Sequence, residues 1–325
     1  MTKNKMHFGV LILALAAIVV WAAYGMFHAG RDEKSHSVSV IVNNSNSDRW
    51  ISLRQGLEQA AKDYNMDLNY VSTGELNSPE EELALAQREL ENGAEGVILQ
   101  MVSSDVDLKE WAEVKEKAAI ILLETDIKTE GICTYVGPDN RALGLALGEA
   151  VKQGLGENMK GKKIGILSGN QKQLSMQQRL QGLLEVFESA GAEVVWNMDN
   201  KELQERKEKR QSGMPEPADA IVALGNDETE RIIDDLWGEE YGGTPCLLYG
   251  VGCSEKAVYY LDKGMIHALV VPNEFNMGYQ SMESMADALR YHLAGVENSL
   301  TGYLVVDREN LYDADNQKVL FPIVQ

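Results

Sequence analysis

Residues 118–141 constrain the fold more than any other stretch of the chain. They begin Ala118-Ala119-Ile120-Ile121-Leu122-Leu123, six apolar residues flanked by Lys117 and Glu124. A run that short and that uniformly apolar predicts a strand buried on both faces, and such strands belong to parallel sheets covered by helices. Polar residues follow at once: Glu124, Thr125, Asp126 and Lys128. A second strand over 132–136 leads into Gly137-Pro138-Asp139-Asn140. Pro138 stops that strand, and Asp139 is placed to cap a helix carrying Leu143, Leu147 and Val151. Alternating strand and helix patterns lie on both sides. The stretch is therefore predicted to be the first crossover between two similar lobes with a ligand cleft between them.

The first set of patterns opens with a strand over 37–42 and a polar loop over 43–48. A helix follows Trp50, with Leu53, Leu57, Ala60, Ala61 and Tyr64 as its apolar stripe. A strand over 68–71 comes next. Ser78-Pro79-Glu80-Glu81 then has the form of a capping box with proline at the first helical position. That helix runs to Gly93, before a strand over 96–101 and a helix over 107–117. The second set has strands over 163–167, 193–196, 220–224, 246–249 and 266–271. Between them lie helices bearing Leu180, Leu184 and Phe187, the charged run 201–210, and 255–261. A long helix over 276–294 and strands over 304–306 and 320–324 close the chain. Strands alternating with helices imply parallel sheets flanked by helices on both faces.

The 325 residues suffice for two α/β domains, and a net charge of −20 repels nucleic acid, which is therefore not an expected partner. Phe8 through Phe27 is a 20-residue run without a charge, long enough as a helix to cross one hydrocarbon core of about 30 Å. Lys3 and Lys5 precede it, and Trp21 and Tyr24 sit near its far end. The run reads as a single uncleaved transmembrane helix with the body exported; a cleaved signal peptide is the competing reading. Residues 1–36 are thus expected to be cytoplasmic tip, anchor and stalk, placing the protein in the cell membrane with an extracytoplasmic body and the lipid bilayer as a partner of 8–27. Cys133, Cys246 and Cys253 are too few for a disulfide scaffold; one Cys246–Cys253 bridge or free buried thiols both fit.

Motifs for chemistry are missing. The sequence holds no Walker A motif, dinucleotide fingerprint, Gly-x-Ser-x-Gly or His-Glu-x-x-His, and its five histidines include no pair at metal-ligand spacing. No catalytic residue, metal or cofactor is expected. Polar residues instead gather at the predicted strand ends, where open α/β sheets bind ligands. These are 43–50, Ser103-Ser104, Glu124 to Asp126, Asn226-Asp227 and Pro272-Asn273. Amides and carboxylates exchange hydrogen bonds with hydroxyls, and an aromatic face covers the C–H face of a sugar ring.

Several marks in order carry a resemblance. They are the strand, polar loop and aromatic up to Trp50 with Gly56 in the next helix; Val136-Gly137-Pro138-Asp139-Asn140; Arg179-Leu180-Gln181-Gly182; residues 220–227; and Gly264-Met265-Ile266 leading to Met277-Gly278. From Ser37 onward the chain resembles the type I periplasmic sugar-binding proteins, the ribose-binding group, which share their fold with lactose-repressor-type ligand domains. The resemblance implies two Rossmann-like lobes joined by three crossovers: 37–138 plus 273–307, and 139–272 plus 308–325. It also implies a sugar or similar small polar ligand held between them, delivered to an ABC permease. The alternative role is a sensor presenting its bound state to a membrane histidine kinase or chemoreceptor, and a remote one is an exported hydrolase. Carried over residue by residue, the resemblance implies Trp50 as a ring-stacking aromatic, Ser47 as a polar contact, and the acid and its neighbour at Thr125 and Asp126, with one residue of slack. It implies Arg179 as the ligand-binding arginine and Asn226 as an amide contact. Two positions depart from the family. Gly252 stands where an aspartate is usual, and Pro272 stands where a glutamine is usual, with Asn273 beside it as a ligand-binding candidate.

Overall fold

The computed structural model describes residues 15–21, 35–128, 133–209, 215–236, 246–291 and 297–321. The chain divides into two units, 1–35 and 36–325. In the first, residues 15–21 are helical. Most of the expected anchor over 8–27 lies outside the described residues, and among the described residues no helix is long and apolar enough to cross a membrane.

In the second unit the apolar runs become sheet centres. Strands β1 (His36–Ile41), β2 (Met66–Tyr70), β3 (Gly96–Leu99), β4 (Ala119–Leu123) and β5 (Thr134–Pro138) alternate with helices α1 (Ile51–Asp63), α2 (Pro79–Glu91) and α3 (Leu108–Lys115). After Asp139 come α4 (Asn140–Leu155), β6 (Lys163–Gly169), α5 (Leu174–Ala190), β7 (Glu193–Asp199) and α6 (Asn200–Glu208). Then follow β8 (Ala220–Ala223), α7 (Asn226–Arg231), β9 (Leu247–Val251), α8 (Glu255–Asp262) and β10 (Ala268–Pro272). The chain ends with α9 (Glu274–Tyr291), β11 (Ser299–Thr301), β12 (Tyr303–Asp307) and α10 (Ala314–Leu320).

Two six-stranded sheets result, ordered β2-β1-β3-β4-β5-β11 and β7-β6-β8-β9-β10-β12. Every pairing is parallel except that of β12 with β10. Residues 120–123 of β4 are buried, as a strand covered on both faces must be. Pro138 is the last residue of β5, and the Asp139 side chain accepts from Ala142 N to start α4. Ser78 caps α2 by accepting from Glu81 N, and Glu81 in turn accepts from Asn77 N, one residue before the expected box position.

Each lobe is braced by one close helix pair. A Cβ at Gly56 would stand 2.0 Å from Phe275 O, and one at Gly278 2.2 Å from Leu53 O. In the other lobe a Cβ at Gly144 would stand 2.1 Å from Arg179 O, and one at Gly182 2.2 Å from Arg141 O. Glycine on both partners lets α1 approach α9, and α4 approach α5, to backbone contact.

Two expectations are corrected. Residues 303–307 were expected in the first lobe, but β12 pairs with β10 from Ala268↔Asp307 to Pro272↔Tyr303, and so extends the second sheet. The Leu304–Val306 pattern specifies a strand but not its partner; the free edge of β10 takes it. Residue 320, expected to open a last strand, ends α10 instead, and the rest of 320–324 beyond 321 lies outside the described residues. Cys133, Cys246 and Cys253 are free thiols.

Candidate functional site

The polar residues that follow the apolar strands meet between the two sheets. After β1 the chain turns through 43–47 into a short 3-10 turn, Asp48–Trp50, whose cap Ser47 accepts from Arg49 N. The Trp50 ring is buried in the first lobe's core and its Nε1 donates to Asn43 O at 3.0 Å. The Arg49 guanidinium lies 4.2 Å over that ring. A cation on an aromatic face is favourable when water is excluded. The ring thus already carries a partner.

From this perch Arg49 reaches Glu124, with Nη2 to Oε2 at 2.5 Å. Arg179, on α5 of the other lobe and 1% exposed, donates Nη2 to the second oxygen of the same carboxylate at 3.1 Å. Its remaining donors go to Asn140 Oδ1 at 2.8 Å and Leu224 O at 3.0 Å. Glu124 has φ 63°, in the left-handed region that costs a non-glycine residue about 1 kcal/mol or more. Its carbonyl is held by Asn140 Nδ2 and Tyr135 Oη, both at 3.1 Å, which fixes that backbone. Burial alone pushes Glu124 up, but Arg49 and Arg179 more than reverse this and hold it below the usual carboxylate range. Arg49 is likewise opposed by burial, yet Glu124, Asp227 and Glu274 leave it more firmly protonated than a free arginine.

The lobes also bond directly. Gln173 Nε2 donates to Met101 O at 2.7 Å, and Asn170 Nδ2 to Val102 O at 2.8 Å. Ser104 N donates to Lys172 O at 2.9 Å, while Leu174 N and Ser175 N donate to Ser104 Oγ and Thr125 Oγ1. Such bonds, shared between two sheets' loops, describe a closed cleft.

A cavity of about 580 Å³ remains between the strand ends, lined among others by Asn43, Arg49, Trp50, Gln100, Asp227 and Glu228. Of the sequence candidates, Ser47 and Trp50 line it. The other five candidates do not. Thr125 is spent on Ser175 N, and Asp126 accepts from Ile127 N through its side chain and from Ser104 Oγ through its carbonyl. Arg179 stands behind the wall on Glu124. Asn226 Oδ1 accepts from Ser254 N at 3.3 Å and fills the space a side chain at Gly252 would need. Asn273 caps α9 by accepting from Asn276 N and binds Gly302 O through its own N–H. Cavity-wall residues outside the sequence candidates include Arg49, Gln100 and Glu228, and Glu124 stands behind them, bonded to Arg49 and Arg179. Glu124 is one step from the named pair, within the slack of the register; the arginine beside a cavity aromatic had no local signal.

A cleft between two parallel sheets joined by crossovers, walled by strand-end polar groups, defines a two-lobed solute-binding architecture. The sequence profile of the periplasmic binding protein domain matches residues 38–292, so the chain belongs to that family. Solved structures agree in fold. A solute-binding protein of an ABC transporter from Burkholderia graminis, in complex with D-arabinose, is 15% identical with a TM-score of 0.75, covering 87% of this chain and 99% of that one. GanP, a glucose-galactose binding protein from Geobacillus stearothermophilus, is 19% identical with a TM-score of 0.72, covering 86% and 100%. A chain of a XylFII–LytSN complex is 15% identical with a TM-score of 0.69, covering 85% and 99%. No curated protein is detectably similar in sequence.

Proposed function

We propose that this protein is an extracytoplasmic solute-binding protein that closes its two lobes on a sugar or similar small polar ligand and delivers it for ABC-type import. The observation that carries the reading is the polar cavity of about 580 Å³ at the facing strand ends, a size suited to a small solute. Arg49 Nε is buried there without an acceptor, and a ligand hydroxyl satisfies it. Relatives of like fold named for arabinose and for glucose and galactose support the solute class. The ligand shifts an open–closed balance by touching both lobes at once. A thermal-shift screen of the purified protein against sugars, polyols and nucleosides tests this, since a ligand of the native state raises the midpoint. No rise with any of them sinks the reading.

A second reading, a sensor that presents its closed form to a membrane partner, is favoured by one observation: a protein of like fold is found in a two-component complex, XylFII–LytSN. Its physical basis is the interlobe bonding, which gives the closed form a distinct outer surface. Uptake of labelled ligand in cells lacking the protein separates the roles. Lost uptake supports import; normal uptake with a lost transcriptional response supports sensing.

A further inference from the structure

Helix α5 begins without a cap of its own. Ser78, Asp107, Asp139 and Ser254 each accept from first-turn amides of α2, α3, α4 and α8. Gln173, at the same position before α5, makes no such side-chain bond, and no acid stands in that helix's first turn. The leading amides of a helix still need acceptors. Those of α5 find them in the other lobe. Leu174 N donates to Ser104 Oγ at 2.8 Å, and Ser175 N donates to Thr125 Oγ1 at 3.1 Å. Both hydroxyls follow strands of the first sheet, Ser104 after β3 and Thr125 after β4, and both are buried, at 2% and 0% exposure. Ser104 Oγ donates its own proton to Asp126 O at 2.5 Å, which leaves its lone pairs for Leu174.

The segment ahead of the helix crosses with it. Gly169 ends β6 at φ 70°, a left-handed conformation that glycine adopts without strain, and a Cβ there would stand 2.9 Å from the Glu228 carboxyl carbon. Beyond that turn Asn170 Nδ2 reaches Val102 O, Gln173 Nε2 reaches Met101 O, and Lys172 O accepts from Ser104 N. Behind the receiving strip, Glu82 accepts from Val102 N at 2.9 Å and ties it to α2. Arg179, in the second turn of α5, donates to Glu124 of the first lobe. We propose that Ser104 and Thr125 cap α5 across the cleft and so act as a latch: separating the lobes uncaps the helix, and closing them orders its first turn. A serine or aspartate at 173 would cap the helix in any lobe arrangement. With the acceptors on the other lobe, helix order is tied to closure. The inference rests on the lobes opening and closing, as the reading above requires. It does not depend on the solute, because neither Ser104 nor Thr125 lines the cavity.

Amide hydrogen exchange of the purified protein, read residue by residue by mass spectrometry, tests the latch. Where reclosing outpaces exchange, the rate reports the opening equilibrium even when the open form is rare. In the parent, the amides of Leu174, Ser175 and Ser104 should share one protection factor, below that of Ile121 and Val222 at the sheet centres, because opening the lobes is easier than unfolding them. Thr125→Val should speed exchange about fivefold at all three, the scale of one lost helix cap. The Ser104 amide is the telling one, since it bonds Lys172 O across the cleft and not the substituted side chain. Ser104→Ala should act in the same direction, and carries the test should Thr125→Val fail to fold by thermal melting. Thr125→Ser keeps the hydroxyl and should keep the parent's rates. A rise confined to Ser175 in Thr125→Val, or a Thr125→Ser protein that exchanges as fast as Thr125→Val, overturns the latch and leaves the cleft reading standing. Protection at the three amides equal to that of the sheet centres also overturns it, and the solute screen then decides the cleft reading separately.

Discussion

The two lobes are alike where they pack and unlike where they face each other. Each has a central parallel sheet and one helix pair brought to backbone contact by reciprocal glycines, Gly56 with Gly278 and Gly144 with Gly182. At the strand ends the likeness stops. The first lobe presents Arg49 over Trp50 and a Glu124 carboxylate already engaged by two arginines. The second presents Asp227 and Glu228, without an ion-pair partner among the described residues. Packing is repeated because both lobes solve one problem, covering a twisted sheet with helices. Chemistry is not repeated, because helix-on-sheet packing does not set which polar side chains stand at the strand ends.

The largest expected effect comes from cutting the ion pair that, among the described residues, joins the two walls. Arg179→Met removes the bonds to Glu124, Asn140 and Leu224 and leaves the buried Glu124 with Arg49 alone. Stability should fall by about 3 kcal/mol, read from the urea midpoint of the purified protein. An unchanged midpoint would mean that the closed cleft does not depend on this pair.

Next in size is a direct comparison of the helix pairs. Gly56→Ala in one lobe and Gly144→Ala in the other place a methyl against a backbone carbonyl, and each should cost about 1–3 kcal/mol. Similar losses by thermal unfolding confirm that the lobes are braced alike. A large loss in one lobe only would break the likeness.

The first lobe also holds a buried acid away from the ion pair, Glu82. One oxygen accepts from Val102 N at 2.9 Å, the other has no partner, and burial pushes the group up to about 8. A carboxyl raised in the folded state is bound to its proton more tightly there than in the unfolded chain. Its contribution is therefore fully present below the ordinary carboxyl range and is lost as pH rises towards about 8. Glu82→Gln should flatten that decline and be more stable than the parent at pH 8, as urea titrations at pH 5 and pH 8 would show. An equal slope in both proteins would place the decline elsewhere.

The smallest effect is at the helix caps. Ser78→Ala in the first lobe and Asp139→Ala at the entry to the second should each cost about 1 kcal/mol, measured as a drop in melting temperature. Loss at Asp139 alone would show that the crossover, not the cap, carries the cost.

Much of the fold was legible because its signals are local. The apolar run at 118–123 means a doubly covered strand wherever it sits, Pro138 ends a ladder by lacking an N–H, and Asp139 offers an oxygen to the amides that follow it. The cleft candidates were legible only as a neighbourhood. Ser47 and Trp50 line the cavity, Thr125 and Asp126 do not, the neighbouring Glu124 is engaged by two arginines, and Trp50 is covered by Arg49.

The sequence by itself determined most of the strand and helix order as far as β10, the break between β5 and α4, and the family. Each of these depends on periodicity or on residues a few positions apart. Only the tertiary structure decided that Arg179 and Glu124, 55 positions apart, would join the two walls, and that β12 would complete the second sheet. It also decided that Asn226 and Asn273 would serve the backbone, and that Glu228 and Glu274 would be buried close to other acids. Whether a charge is paired depends on which distant group shares its low-dielectric space, and chain order alone does not specify that distance.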